Sequence, residues 1–249
     1  MISVITCSID AARLARFKTM LAATMGSYPW ELTVIGDARS LAEGYTRGIA
    51  ASHGEVLVFC HDDIEVLSPD FPQRLTGRLS EFDMIGVAGT SRLCNGVWFA
   101  AGVPYIFGQV IHPTNDNKFH VDIFGAPRRV VGNIQAMDGL MIAVRRSVLA
   151  RIVFDAVTFD GFHLYDLDFS FSAYCAGFRL GIANDLTVLH RSFGSYQDTW
   201  SLYKERFERK WAARLAPASA RTHKWALVTV GSVAEAMEIV NPPYWREEV

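Results

Sequence analysis

A short acidic turn, His61-Asp62-Asp63, follows the apolar run Val56-Leu-Val-Phe-Cys. Two adjacent carboxylates at a strand end repel one another unless something neutralises them. A hard divalent cation such as Mn²⁺ or Mg²⁺ does so, taking one or two carboxylates and filling its shell with phosphate oxygens and water. That arrangement suits a nucleotide diphosphate leaving group. The plain alternative is a turn or a helix cap, which taken alone carries about half the weight. Glu65, two residues on, adds negative charge and favours the cation.

A second constellation, Gly161-Phe-His-Leu-Tyr-Asp-Leu-Asp-Phe-Ser-Phe, puts Asp166 and Asp168 at the start of an apolar helix. The helix macrodipole favours carboxylates there, which is their plain reading. The chemical reading is a general base that takes the proton of an acceptor hydroxyl as it attacks a sugar carbon. Helix periodicity does not choose between them. A third group, His190, ends a strand in Leu189-His-Arg-Ser-Phe-Gly-Ser. A lone histidine is more often structural than a ligand, roughly three to one, but its polar, glycine-containing continuation places it beside a loop. Imidazole suits Mn²⁺ better than Mg²⁺.

These groups need elements to hold them. Over the first ninety residues, short apolar runs alternate with helical patterns, the signal for βαβ units and a parallel sheet. Strands are expected at 3–8, 31–36 and 55–60, with helices at 11–25, N-capped by Asp10, and at 40–52. In such sheets ligands gather at the carboxyl ends of the strands. Three successive ends, Cys7-Ser8-Ile9-Asp10, Gly36-Asp37 and His61-Asp62-Asp63, therefore point to one crevice. Further strands are expected at 84–89, 135–144 (entered through Asp138-Gly139), 179–183 and 187–190, with helices at 146–152 and 162–176, the latter stopped by Gly177. Residues 197–215 read as a helix with Trp200, Tyr203, Phe207 and Trp211 on one stripe, and 225–240 as another.

The chain has 249 residues, 50% hydrophobic and 20% charged, with a formal net charge of −2. That length supports one sizeable α/β core, and the balanced charge argues against a general nucleic-acid binder. Cys7, Cys60, Cys94 and Cys175 lack the paired spacing of a zinc site or a disulfide framework. The sequence opens on a strand-like run without signal-peptide features and contains no stretch of roughly 18 uncharged apolar residues. A cytoplasmic protein with no transmembrane segment is the expectation.

Taken together, the constellations resemble the family 2-like GT-A glycosyltransferases, and most closely the subgroup related to a streptomycin-biosynthesis protein. The resemblance covers residues 2 to about 195. It implies a GT-A fold, a Rossmann-like and mostly parallel sheet with flanking helices, over 1–195. A helical C-terminal extension over 196–249 has no counterpart in the family. By that resemblance Cys7, Ser8 and Ile9 line a nucleoside pocket and Asp37 lies near the base. The strand ending in His61-Asp62-Asp63 looks like the one that delivers the family's Asp-x-Asp motif. Asp63 then stands at the usual metal-binding position, Asp62 in the middle, and His61 in place of the first acid, as is common in the subgroup. Asp138 and Gly139 are similar to the strand entry beside the donor sugar and diphosphate. Tyr165-Asp166-Leu167-Asp168 looks like the family's Glu-Asp-x-Asp stretch, which makes Asp166 the base of an inverting displacement and Asp168 its support. His190 matches a histidine that completes the metal shell, with Arg191 and Ser192 assisting the diphosphate.

The implied activity moves a sugar from a nucleotide-sugar, with UDP as the expected nucleotide, to a hydroxyl of a carbohydrate, lipid-linked or small-molecule acceptor. The C-terminal helices are candidates for a homo-oligomer contact. Two other readings compete. A sugar-phosphate nucleotidyltransferase shares the sheet and the metal, but residues 7–18 lack its Gly-rich basic loop. A non-catalytic nucleotide- or glycan-binding module of the same fold would accommodate His61 and Tyr165 in place of acids.

Overall fold

The computed structural model describes residues 1–126, 128–192, 198–218 and 224–242. The chain begins with β1 (Ile2–Cys7), α1 (Ala11–Met25), β2 (Trp30–Ile35), α2 (Leu41–Ala50), β3 (Val56–Cys60), β4 (Ile64–Val66) and α3 (Phe71–Glu81). It continues through β5 (Met84–Gly86), β6 (Ala88–Thr90), β7 (Ile106–Pro113), β8 (Phe119–Phe124), β9 (Val130–Val131), β10 (Ala136–Met137) and β11 (Met141–Arg145). Last come α4 (Tyr165–Cys175), β12 (Leu180–Ala183), β13 (Val188–His190), α5 (Asp198–Trp211), β14 (Ala226–Val230) and α6 (Val233–Val240).

The early elements follow their local signals. The Asp10 carboxylate caps α1 by accepting from the Arg13 N–H at 2.8 Å, and Ser40 caps α2 by accepting from Glu43 at 3.1 Å. Each supplies an acceptor to an otherwise unpaired first-turn N–H. The apolar runs of β1 and β3 are buried almost throughout, as strands covered on both faces must be.

One sheet runs in the order β2-β1-β3-β11-β5-β12-β9 and a second contains β10-β6-β7-β13-β4, with β8 on β7 and β14 on β8. The first three strands are parallel, so their carboxyl ends share one edge. Beyond them β11 runs antiparallel to β3, with Met141 opposite Cys60. Its amino end therefore lies at that same edge and brings Asp138-Gly139 to it. The run expected as one strand at 84–89 is split, β5 lying in the first sheet and β6 in the second. The 135–144 run is divided in the same way between β10 and β11, and β3 passes to β4 likewise. Alternation of apolar residues registers burial but not which sheet accepts the strand. His61–Asp63 and Asp138–Leu140 are thus two of the seams between the sheets.

A main hydrophobic core includes Phe17, Tyr45, Phe59, Phe154, Phe169 and Phe171, and a small second core beneath α6 joins Ile111, Val121, Leu189, Ala236 and Val240. The stripe on α5 is largely core, Tyr203 and Phe207 being buried. The C-terminal extension is not wholly helical: 226–230 forms β14, paired antiparallel with β8. Its residues Ala-Leu-Val-Thr-Val favour a strand, and the helix expected at 225–240 is confined to α6. The boundary expected at 195 to 196 lies outside the described residues. Among those described, no helix is long and apolar enough to cross a membrane.

Candidate active site

Asp63 sits where β3 passes into β4. Register pairs His190 of β13 with Ile64 of β4, which places His190 Nε2 3.4 Å from Asp63 Oδ1. The His61 Nδ1 lies 3.9 Å from the same oxygen, and the two imidazole rings are 5.7 Å apart. Ligand atoms of His61, Asp63 and His190 all lie within 4.8 Å of one another.

The chemistry of this trio fits a divalent cation. Asp63 Oδ1 is buried and has no hydrogen-bond partner among the described residues, a costly state for a carboxylate oxygen unless a ligand meets it. Burial acts to raise the Asp63 pKa, but His190, then Ser192 and His61, outweigh it and hold the carboxyl well below the usual range. Burial, and next the neighbouring His190, push the His61 pKa down, which favours the neutral, electron-donating ring. Its Nε2 lies 3.3 Å from the Tyr165 hydroxyl, a contact that fixes which nitrogen faces Asp63.

Asp62 is turned the other way. Its Oδ2 accepts from Ser8 at 2.6 Å and its Oδ1 from Arg13 at 3.3 Å, so the middle carboxylate already has its partners. The turn between β3 and β4 sends Asp62 to Ser8 and Arg13 and Asp63 to His190, which separates their roles.

Asp138 and Asp166 form the second half of the site. Asp138 Oδ2 accepts from the Trp98 indole at 2.8 Å and its Oδ1 from the Leu140 N–H at 2.9 Å. Asp166 Oδ2 accepts from the Gly139 N–H at 2.7 Å. A Cβ at Gly139 would come within 2.4 Å of the Tyr165 hydroxyl and 2.8 Å of Asp166 Cβ; only glycine lets the turn approach α4 this closely. Burial, then the charge of Asp138, push the Asp166 pKa up to about 7, against the pull of the Leu167 and Gly139 N–H groups. A carboxyl so poised suits proton transfer near neutral pH.

These groups border one cavity of about 710 Å³, into which His61, Asp138, Gly139, Asp166, His190 and Ser192 open. Several expected residues do not. Asp168 is corrected: 1% exposed, it accepts from Lys210 at 2.9 Å and from the Trp211 indole at 2.8 Å. Two positions along a helix rotate a side chain by roughly 200°, so Asp166 and Asp168 cannot share a face, and Asp168 anchors α5 to α4. Cys7 is packed beside α2 away from the cavity, its thiol pushed up to about 12 by burial, then by Glu43. Ile9 is 93% exposed, and the exposed Asp37 pairs with Arg47 at 2.7 Å; neither borders the cavity. Ser8 acts on Asp62. Arg191 Nε donates to Glu65 at 2.6 Å, while the Ser192 hydroxyl lies 3.0 Å from His190 Nε2.

Sequence reasoning left His112 and Trp225 without a role, and gave Trp98 only a place in an aromatic-rich stretch expected to help shape an acceptor surface. Trp98 anchors Asp138, and the His112 ring lies 5.4 Å from that of His190. Nothing local marks His112, because β7 and β13 meet only through sheet pairing.

Residues 3–213 match the family model described as "Glycosyltransferase like family". No curated protein sequence matches the chain. Among solved structures, the fold is similar to that of the mannosyltransferase PcManGT from Pyrobaculum calidifontis, determined in complex with GDP-Man and Mn²⁺. Identity is 12% and the TM-score 0.52, over 88% of this chain and 65% of that one. It is also similar to GalNAc-T7 with UDP, GalNAc and Mn²⁺, at 12% identity and a TM-score of 0.51, over 80% of this chain and 44% of the other. The chain thus spans less than two thirds of either protein, and at these identities the likeness is one of fold.

Proposed function

Because this chain belongs to the glycosyltransferase-like family, we propose that it transfers a sugar from a nucleotide-sugar donor to a hydroxyl acceptor, using a divalent cation at His61, Asp63 and His190. The observation that carries this reading is the buried, unpartnered Asp63 Oδ1 facing two imidazoles. Two nitrogens and one carboxylate suit Mn²⁺ better than Mg²⁺. Both structural neighbours were determined with Mn²⁺ and nucleotide or nucleotide-sugar, GDP-Man in one and UDP with GalNAc in the other; UDP is the nucleotide we favour here. Within the family, His61 at the first motif position favours the subgroup related to a streptomycin-biosynthesis protein. We assign the transferase domain to 1–195 and an extension to 196–249.

When bound, the cation would neutralise charge on the departing diphosphate. The chain's own residues do the rest. Asp166, held by the Gly139 N–H, takes the proton of the acceptor hydroxyl as its oxygen attacks the sugar. Direct attack opposite the diphosphate inverts the anomeric centre. Trp98 and the Leu140 N–H hold Asp138 beside the donor sugar.

Thermal melting with UDP and with GDP, each with and without Mn²⁺, tests the reading. A ligand at 100 times its Kd adds about 2.7 kcal/mol of stability. We expect a metal-dependent rise in Tm with one of the diphosphates, abolished in Asp63→Ala. A chain stabilised by neither, or an undiminished rise in Asp63→Ala, would overturn it.

A further inference from the structure

Cationic and aromatic side chains are segregated on two sides of Asp63. A small cavity of about 230 Å³ beside Asp62 and Asp63 is bordered by Arg13, Arg16 and Arg191. The large cavity is bordered by no lysine or arginine among the described residues, but by Trp98, Phe99, Phe124, Trp200 and Trp225. Ser192 borders both. A volume of about 710 Å³ lies in the range of small-molecule sites.

The aromatic wall is held rather than loosely collapsed. The Trp225 indole donates to Asp122 Oδ1 at 2.6 Å, and its ring lies 5.2 Å from Phe124 and 5.7 Å from Phe99. Phe124 in turn lies 4.9 Å from Trp98, whose indole is bound to Asp138. With the Trp98 and Trp225 indole N–H groups each satisfied at one end, those two faces are presented in fixed orientation. Trp225 stands outside residues 3–213, the span of the family match, so this part of the wall belongs to the extension.

The carboxylates facing this cavity are Asp138 and Asp166. An acceptor bearing phosphate or carboxylate there would be desolvated beside like charge, with no lysine or arginine among the described lining residues to offset it. We infer that the acceptor is a hydroxyl compound without negative charge that lays an apolar ring face on the wall of Trp98, Phe124, Trp200 and Trp225. Trp225, from the extension, is then a determinant of acceptor choice. The word acceptor rests on the proposed transferase reading; the predicted binding preference does not.

The test titrates the full chain calorimetrically with phenyl β-D-glucopyranoside, methyl β-D-glucopyranoside and phenyl phosphate, each in Mn²⁺ and in EDTA. Saturable binding of the phenyl glucoside is expected in both, with phenyl phosphate at least about 10-fold weaker. Trp225→Ala and Trp200→Ala should each weaken glucoside binding by about 3- to 10-fold, the size of a lost aromatic contact. Should Trp225→Ala fail to fold, the half-buried Trp200 carries the test. Equal binding of the methyl glucoside would put the sugar ring itself on the wall, and loss of it an aryl group; both support the inference. Preference for phenyl phosphate, absence of glucoside binding, or affinity unchanged in the folded tryptophan variants overturns it. Glucoside binding that persists where neither UDP nor GDP with Mn²⁺ gives stabilisation would sink the transferase reading while leaving this one standing.

Discussion

His190 Nε2 lies 3.4 Å from Asp63 Oδ1 because His190 pairs with Ile64, the residue after Asp63, across β13 and β4. The Arg191 N–H donates to the Asp63 carbonyl at 3.0 Å and locks the same register. Sheet pairing, rather than a flexible loop, holds two of the three candidate ligands.

Removal of either imidazole should therefore weaken the cation without unfolding the chain. His190→Ala and His61→Ala are each expected to reduce Mn²⁺ affinity by at least about 10-fold, the lower end of what even supporting residues contribute. Titration followed by the Mn²⁺ EPR signal checks this. Affinity equal to that of the unmodified chain in both variants would remove them from the site.

Activity should rise with pH through the Asp166 titration. Its carboxyl is pushed up to about 7 by burial and then by Asp138, so below that pH the base carries its proton and above it is free to accept one. Turnover of Asp166→Asn should fall by about 10²- to 10⁴-fold, with nucleotide binding retained. A rate profile flat between pH 6 and 8, or a fully active Asn variant, would exclude Asp166 as the base.

The same shift has a stability consequence of opposite sense. The folded chain holds this proton more tightly than the unfolded one, so its contribution is complete below the ordinary carboxyl pKa and is lost as pH rises towards about 7. Asp166→Asn should flatten that decline when Tm is measured across the range.

Gly139→Ala tests the close approach of turn and helix. The added methyl would meet the Tyr165 hydroxyl and Asp166. Displacement of the base by roughly 1 Å should cost about 10²-fold in kcat. A kcat within a few-fold of the parent would show that the turn has room to yield.

Asp168 should behave as a structural anchor. Asp168→Asn weakens its bonds to Lys210 and Trp211 and is expected to cost about 1.5–3 kcal/mol, read by urea unfolding. The folded fraction should keep its kcat, in contrast to Asp166→Asn.

Much of the framework was legible locally. Asp10 announced the start of α1, the helix expected from residue 40 begins one residue later with Ser40 as its cap, and the β1 and β3 runs had the composition of buried strands. The long 84–89 and 135–144 patterns were readable as strands but not as strands broken between two sheets, since a buried residue looks the same in either. β14 escaped because a short Val- and Leu-containing run becomes a strand only when an edge such as β8 is there to pair with it.

The sequence by itself determined that His61, Asp62 and Asp63 stand together at a strand end and that Asp166 and Asp168 enter one helix. Those are consequences of covalent order and of period. Which carboxylate of each pair turns inward was decided by tertiary structure, as Ser8 and Arg13 engage Asp62 while Lys210 and Trp211 engage Asp168. Tertiary structure also supplied His61 and His190 to the same oxygen and brought Trp225 to the cavity. Residues so distant along the chain meet only because hydrogen-bonded strands impose one register, and no local pattern encodes a partner.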